Sequence, residues 1–163
     1  MLKLGKKIPA FTLPMSDGTP WKSTDAMSSH GRSTDGKPGK LVLYFYPKDM
    51  TPGCTLEGQE FRALHPAFRR AKTTVFGVSK DSCTRHARFR AKEDFPFELL
   101  ADEDEKVCRL FDVIREKTLY GRKFMGIERS TFLFDDSGKL VREWRKVKVA
   151  GHAQEVLDAV KAL

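Results

Sequence analysis

Apolar residues along this chain occur as continuous runs and at helical spacings, and the two patterns alternate. Three apolar or β-branched runs predict strands buried in a sheet: 41–47, 73–79 and 97–101. Phe61, Leu64 and Phe68 fall on one helical face and predict a helix over 54–70, between the first two runs. A short helix that begins with acidic residues is predicted within 102–112.

The rest of the pattern predicts a capped helix, a hairpin and a closing helix. Asp81 or Ser82 is the expected N-cap of a helix that follows the second run. Strands at 130–135 and 139–147 flank the sequence Asp-Ser-Gly at 136–138, which is a hairpin signal. Four apolar residues of the last segment share one helical face: Val156, Leu157, Val160 and Leu163.

This order of elements predicts an α/β fold with a central mixed β-sheet flanked by helices, the arrangement of thioredoxin-like proteins. Strands 41–47 and 73–79 are expected to be parallel, because a helix connects them. Sites collect at the carboxyl ends of such strands. The loops 47–54 and 80–83 are therefore expected at the same edge of the sheet.

Composition favours one folded domain over residues 1–163, since 40% of them are hydrophobic and 32% are charged. No apolar run approaches the roughly 18 residues of a membrane span, and no secretory signal is visible. Three cysteines cannot all pair within the chain, so a reducing compartment such as the cytoplasm is expected. The polar segment 26–40 is expected to form a loop.

The net charge of +8 raises the question of nucleic-acid binding. The basic residues are dispersed along the chain, and none of their clusters is interleaved with the aromatic residues of a stacking platform. We therefore expect a solvated basic surface and no specific nucleic-acid partner.

The loop between the first strand and the following helix carries the clearest chemical signal. Cys54 follows a buried strand at the start of a helix, where unpaired N–H groups and the helix dipole favour a thiolate. Thr51 lies three residues earlier, within reach to offer its hydroxyl to the thiolate or to a substrate oxygen. Pro47 supplies a rigid apolar wall without a competing N–H group.

The pattern P-x-x-x-T-x-x-C after a buried strand resembles the active-site motif of the peroxiredoxins. The wider string YFYPKDMTPGCTLEGQEF is similar to the peroxiredoxin Q, or bacterioferritin-comigratory protein, subfamily. Four further blocks follow the same family pattern in the same order: IPAFTLPMSDG, VFGVSKDS, LLADEDEKVCRLFDV and ERSTFLFDDSGKLV. The resemblance covers nearly the whole chain.

The resemblance implies roles for individual residues. Cys54 matches the peroxidatic cysteine, whose thiolate attacks a peroxide oxygen and becomes a sulfenic acid. Arg129 matches the arginine that stabilises the thiolate and the developing charge, and Glu57 matches the acid that orients this arginine. No metal or organic cofactor is expected, because the four histidines and three cysteines lack metal-ligand spacing and no phosphate-binding loop is present.

The chain departs from the family pattern at both usual positions of the resolving cysteine. Gln59 stands five residues after Cys54, and Arg90 stands at the position in the next helix. Cys83, two helical turns before Arg90, is the candidate for resolution, because it opens a helix at the same sheet edge as Cys54. Cys108 lies in an apolar context and is expected to be a buried packing residue.

The expected function is a thiol peroxidase for hydrogen peroxide and small organic hydroperoxides. Its expected reductant is thioredoxin, a glutaredoxin-like protein or a similar dithiol, and the resemblance suggests a monomer. One alternative is a one-cysteine peroxidase that an external thiol reduces. The others are a disulfide reductase, for which the C-x-x-C pair is missing, and a non-enzymatic basic binding module on the same fold.

Overall fold

The computed structural model describes residues 2–26 and 39–163 of the chain, so most of the predicted loop 26–40 lies outside the described residues. Its strands, in chain order, are β1 (Thr12–Pro14), β2 (Pro20–Lys22), β3 (Lys40–Phe45), β4 (Thr73–Ser79), β5 (Glu98–Ala101), β6 (Ile114–Leu119), β7 (Arg122–Ile127), β8 (Ser130–Phe134) and β9 (Leu140–Trp144). Its helices are α1 (Pro52–Arg70), α2 (Cys83–Glu93), α3 (Lys106–Leu110) and α4 (His152–Lys161), and a 3₁₀ helix spans Ser23–Ala26.

The central sheet has the strand order β5-β4-β3-β8-β9. Strands β3, β4 and β5 are parallel to one another, whereas β8 pairs antiparallel with both β3 and β9. The predicted mixed sheet and the predicted parallel pairing are therefore confirmed. Helices connect β3 to β4 and β4 to β5, so the carboxyl ends of these three strands meet at one edge of the sheet.

The sheet separates two apolar cores. On one side, side chains of β3 and β4 pack with α1, α2 and α4, in a cluster that includes Cys54 and Phe61. On the other side, the strand residues pack with β1, β2 and α3, in a cluster that includes Trp21 and Cys108. The alternating direction of side chains along a strand produces this division, since neighbouring residues of β3 belong to opposite cores.

Helix α1 begins two residues earlier than the sequence pattern predicts. Thr51 is its N-cap, in an extended conformation, and Pro52 is its first residue. Proline is favoured there because its N–H group is not needed for a helical hydrogen bond and its φ is already helical. Cys54 is consequently the third residue of α1, inside the first turn.

Two further expectations need correction. The short helix lies within the predicted 102–112, as α3 (Lys106–Leu110), but it does not begin with acidic residues, because Asp102 precedes it and caps it with its carboxylate. Leu163 lies beyond the end of α4 and is exposed, so it does not share the buried face of that helix. Two hairpins, β1–β2 and β6–β7, were not predicted at all.

Among residues 2–26 and 39–163, none of the helices combines the length and apolar composition that a membrane span requires.

Candidate active site

Cys54 lies where the buried strand β3 gives way to helix α1. Its side chain belongs to the α1–α2–α4 core and is only 2% exposed. Within the described residues, Thr51 makes no side-chain hydrogen bond to the end of the helix, so it does not cap the first-turn N–H groups. The positive end of the dipole of a 19-residue helix therefore lies beside the thiol.

A guanidinium group contacts the thiol from the other side. Arg129 directly precedes β8, and its Nη2 donates to Cys54 Sγ at 3.4 Å. Its Nη1 donates to Glu57 Oε1 at 2.6 Å. Since Glu57 lies one turn after Cys54 on α1, the thiol and the carboxylate hold the guanidinium between them. The structure thus brings together Cys54, Glu57 and Arg129, three of the residues that the sequence analysis assigned to thiolate chemistry.

Charge and burial act together on this group. Burial raises the pKa of the Glu57 carboxyl to about 7, although the charge of Arg129 opposes the rise. Burial also lowers the pKa of Arg129, but the charges of Glu57 and Cys54 outweigh that effect and raise it overall. Arg129 therefore remains a cation beside Cys54 Sγ, and an anion on that sulfur is stabilised by a charge-assisted hydrogen bond.

Thr51 lies in the loop but donates elsewhere. Its hydroxyl donates a hydrogen bond to the carbonyl oxygen of Lys48 at 2.9 Å. The hydroxyl hydrogen is therefore engaged, whereas the oxygen lone pairs are available to accept a hydrogen bond. Pro47 is half-buried in the same loop, directly after the last buried residues that follow β3.

A glycine allows the guanidinium to approach the helix. A Cβ atom at Gly53 would lie 3.2 Å from Nη2 of Arg129. A larger residue would therefore crowd the group that contacts Cys54.

Sequence reasoning missed two residues next to this site. Lys117 on β6 is half-buried, and burial together with the charge of Arg129 lowers its pKa. Tyr44 on β3 is fully buried and stacks on Phe61, with the ring centroids 4.6 Å apart. Burial, and then the charges of Glu57 and Cys54, raise the pKa of its hydroxyl. The sequence of β6 mixes charged, polar and apolar residues without a regular alternation, so nothing in it indicated that Lys117 lies near the site.

Cys83 is the first residue of α2 and is partly exposed. Ser82 caps this helix by accepting a hydrogen bond from the N–H group of Arg85. Burial and the charge of Glu103 raise the pKa of the Cys83 thiol. The three cysteines are free thiols.

The two positions that usually carry a resolving cysteine hold residues with structural contacts. Gln59 donates to Glu93, the last residue of α2, at 2.8 Å. Arg90 donates to the carbonyl oxygen of Phe97 and to Glu98, both at 2.9 Å. Each side chain thus links α2 to a neighbouring element.

Cys108 is fully buried in the core on the opposite side of the sheet from Cys54. Burial, and then the charge of Asp102, raise the pKa of its thiol far above the ordinary value. The expectation that Cys108 is a buried packing residue is confirmed.

The fold also gathers three potential metal ligands that the sequence analysis did not connect. Ligand atoms of Asp49, Asp81 and His86 lie within 4.8 Å of one another. Asp81 accepts hydrogen bonds from the backbone N–H of Asp49, from Ser79 and from Arg85. These oxygens are directed at hydrogen-bond donors, so the cluster is organised for hydrogen bonding rather than for a cation.

Comparisons with known proteins agree with this geometry. The family model of the AhpC/TSA family matches residues 4–143. Peroxiredoxin Bcp of Xanthomonas campestris is 58% identical over 122 residues, which are 75% of this chain and 76% of that protein. Peroxiredoxin Bcp of Bacillus subtilis is 42% identical over 160 residues, covering 98% and 96% of the two chains.

Solved structures give the same relationship. The bacterioferritin comigratory protein of Xanthomonas campestris, described with alkyl peroxide reduction activity, superposes with a TM-score of 0.82 at 49% identity, over 93% of this chain and 90% of that one. A cysteine-to-serine variant of Xylella fastidiosa PrxQ gives 0.88 at 43% identity, over 99% and 97%. This chain belongs to the AhpC/TSA family, within its peroxiredoxin Q (bacterioferritin comigratory protein) branch, and is a thiol-dependent peroxidase with a thioredoxin-like fold.

Proposed function

We propose that this peroxiredoxin reduces hydrogen peroxide and small organic hydroperoxides with Cys54 as its peroxidatic residue. The Cys54 thiolate attacks the terminal oxygen of R–O–O–H, so that an S–O bond forms and the O–O bond breaks. Sulfur is oxidised to the sulfenic acid, and the leaving RO⁻ takes up a proton to become an alcohol, or water when R is hydrogen. The observation that carries the proposal is the contact between Arg129 Nη2 and Cys54 Sγ at the N-terminus of α1.

The other residues of the site are proposed to hold the peroxide and its developing charge. The cation of Arg129 stabilises both the thiolate and the oxygen that gains charge as the O–O bond breaks, while Glu57 orients that cation. Thr51 is proposed to accept the hydrogen bond of the peroxide O–H, since its own hydroxyl hydrogen is directed at Lys48. Pro47 is proposed to form an apolar wall of the pocket.

Cys83 is proposed to resolve the sulfenic acid. Its thiolate attacks the Cys54 sulfur, an S–S bond forms, and the hydroxyl group leaves as water after taking up a proton. Cys83 is the most accessible of the three cysteines, whereas Cys108 is buried in the opposite core. A disulfide needs Cα atoms within about 7 Å. Since Cys54 is buried, local unwinding of the first turns of α1 and α2 is proposed to bring the sulfurs together.

A second cycle is supported by the surroundings of Cys83. The charges that raise the pKa of its thiol come from acidic residues, namely Glu103, Asp17 and Glu98, and they disfavour the thiolate. In this alternative an external thiol attacks the Cys54 sulfenic acid directly.

Peptide mapping by mass spectrometry, without reductant, after one equivalent of hydrogen peroxide distinguishes the two cycles. A Cys54–Cys83 cross-link is the expected product, and Cys108→Ser leaves it unchanged. Oxidation of Cys54 to sulfenic or sulfinic acid with Cys83 and Cys108 free would overturn the role of Cys83. Cys83→Ser is the matched variant, because it must abolish the cross-link without affecting the first oxidation of Cys54.

The remaining parts of the proposal concern the setting of the enzyme. We propose a monomer that is one domain over residues 1–163, works in the bacterial cytoplasm, and is recycled by thioredoxin or a glutaredoxin-like dithiol protein. Three free cysteines support a reducing compartment. The proposed cycle uses thiols alone, so it requires no cofactor and no metal. Light scattering on the reduced and the oxidised protein tests the monomer.

A further inference from the structure

The loop that carries Thr51 contains a backbone conformation that its residue disfavours. Met50 has φ at +66°, in the left-handed region. An L-residue with an unbranched side chain adopts this region at a cost of roughly 1 kcal/mol or more, and it remains there only when the surroundings hold it. Met50 is exposed, so the contacts that hold it come from its neighbours in the chain.

Asp49, directly before Met50, is held on all sides. Its carboxylate accepts from the hydroxyl of Tyr46 at 2.5 Å and contacts His86 Nδ1 at 2.7 Å. Its backbone N–H donates to Asp81 at 2.9 Å, and its carbonyl oxygen faces the guanidinium of Arg85 at 3.5 Å. The residue is 1% exposed, so water does not compete for these contacts.

The partners of Asp49 are fixed to the central sheet. His86 Nε2 lies 3.0 Å from the carbonyl oxygen of Leu100 in β5, which can only accept a hydrogen bond, so Nε2 carries a proton. Asp81 accepts from the hydroxyl of Ser79, the last residue of β4. The network therefore connects the loop after β3 to the ends of β4 and β5.

We infer that Asp49 and His86 are positioning residues for the reaction of Cys54 with peroxide. Their buried contact holds the backbone of Met50 in the left-handed region. This conformation fixes the direction of the chain as it reaches α1, and with it the position of Thr51 and of the first helical turn relative to Arg129. The inference rests on Cys54 being the peroxidatic residue. Neither Asp49 nor His86 takes part in the chemical step.

The proposal distinguishes between two substitutions of Asp49. Asp49→Ala removes the anchor, and Met50 then relaxes to negative φ and displaces the loop. Asp49→Asn keeps the contacts: its carboxamide oxygen accepts from Tyr46, and its NH₂ group donates to an His86 Nδ1 that has lost its proton. The asparagine variant is therefore expected to rescue the loop.

The experiment measures two rate constants of the reduced protein, one with hydrogen peroxide and one with iodoacetamide, for Cys54 alone. Peroxide reduction needs Thr51 and Arg129 in place, whereas alkylation needs only an accessible thiolate. Asp49→Ala is expected to lower the peroxide rate constant about 10- to 100-fold, as a displacement of about 1 Å does in other enzymes. The ratio of the two rate constants falls at least about tenfold, and Asp49→Asn stays within about threefold of the natural protein.

Asp102→Ala is the matched control. Asp102 is likewise a fully buried aspartate whose carboxylate binds two N–H groups, but these belong to α3 in the opposite core. It is expected to lower the melting temperature while leaving the ratio unchanged. An unchanged ratio in Asp49→Ala, or an equal fall in Asp102→Ala, would overturn the inference. A Cys54→Ser protein that still consumed peroxide would instead overturn the proposed function.

Discussion

Cys54 and Cys108 occupy equivalent local positions on opposite faces of one sheet. Each is buried, and each is the third residue of a helix. The N–H groups of Val107 and Cys108 are both bound by the carboxylate of Asp102. At Cys54, in contrast, the side chain of the N-cap residue Thr51 accepts no hydrogen bond from the first-turn N–H groups in the part of the chain that the structure describes. The guanidinium of Arg129 contacts the sulfur instead.

Neither burial nor helix position therefore separates Cys54, the proposed peroxidatic residue, from Cys108. A carboxylate beside a buried thiol adds to the effect of burial and keeps the proton on sulfur, whereas a guanidinium favours the anion. The open first turn of α1 also leaves N–H groups for a substrate oxygen, while Asp102 has already occupied those of α3. Under the proposed assignment, the cation of Arg129 and the open first turn of α1 distinguish Cys54 from Cys108, whose thiol keeps its proton mainly because it is buried.

The largest expected effect comes from replacing each sulfur by oxygen. Cys54→Ser is expected to abolish peroxide consumption, because a serine hydroxyl does not ionise near neutral pH. Cys108→Ser is expected to keep the rate within about twofold, because its hydroxyl still donates to Asp102. Peroxide consumption with dithiothreitol as reductant measures both. Equal losses in the two variants would remove the distinction between the sites.

Removing the charge beside Cys54 tests whether the cation makes the difference. Arg129→Met is expected to lower the rate constant with hydrogen peroxide about 10²- to 10³-fold, as the loss of one charge-stabilising donor does elsewhere. Arg142→Met is the control, since Arg142 is an exposed arginine that pairs with Glu155. Stopped-flow oxidation of the reduced protein gives the rates, and equal rates in the two variants would contradict the role of Arg129.

Glu57 is expected to make the free energy of unfolding of the protein depend on pH. The folded protein keeps the proton on Glu57 up to about pH 7, whereas the ordinary pKa is 4.5. The folded state therefore binds the additional proton of Glu57 between these values, and the contribution of Glu57 to the free energy of unfolding falls as pH rises through them, by up to about 3 kcal/mol. Burial lowers the pKa of His152 to about 4, and this group contributes a slope of the opposite sign. Urea unfolding of the natural protein and of a Glu57 variant from pH 4.5 to 7.5 isolates the contribution of Glu57 as the difference between the two slopes.

Glu57→Gln is expected to remove the contribution of Glu57, since its amide does not titrate, so its free energy of unfolding should rise more steeply with pH than that of the natural protein. The exposed Glu116 supplies the control variant Glu116→Gln, which should keep the pH dependence of the natural protein. The same pH dependence in Glu57→Gln as in the natural protein would show that Glu57 does not hold the additional proton.

The smallest effect is expected on the opposite face. Burial is the main cause of the raised pKa of Cys108, ahead of Asp102. Asp102→Asn should therefore leave iodoacetamide labelling of Cys108 within about twofold, measured well below the melting temperature. A large increase would show that the carboxylate, rather than burial, protects this thiol. Labelling of Cys54 in the same sample serves as the internal reference.

The elements whose hydrophobic pattern is strong could be predicted from the sequence. The run 73–79 matches β4, and the five-stranded sheet contains every predicted strand. Cys54 was found from its place between a buried strand and a helix, Glu57 and Arg129 were found through the family resemblance, and the structure brings the three into contact. Periodicity alone would not have joined Arg129 to Cys54, because they are 75 residues apart.

The unpredicted parts lack that pattern. In the hairpin β6–β7 most residues are charged or exposed, so the sequence shows neither the alternation of a half-buried strand nor a continuous apolar run. His86 was one of four scattered histidines, and Asp49 was an ordinary loop residue. Their contact depends on the parallel pairing of β3 with β4 and on the helix that follows β4.

Local sequence pattern is enough to predict the alternating α/β order, the strand-to-helix position of Cys54 and the family motif around it. It is enough because backbone preferences and apolar periodicity are local properties of the chain. The charge that faces each buried cysteine, Arg129 at Cys54 and Asp102 at Cys108, depends instead on the folding of the whole chain. The physical reason is that electrostatic interaction depends on distance and burial, and both are fixed only when the strands pair and the two cores close.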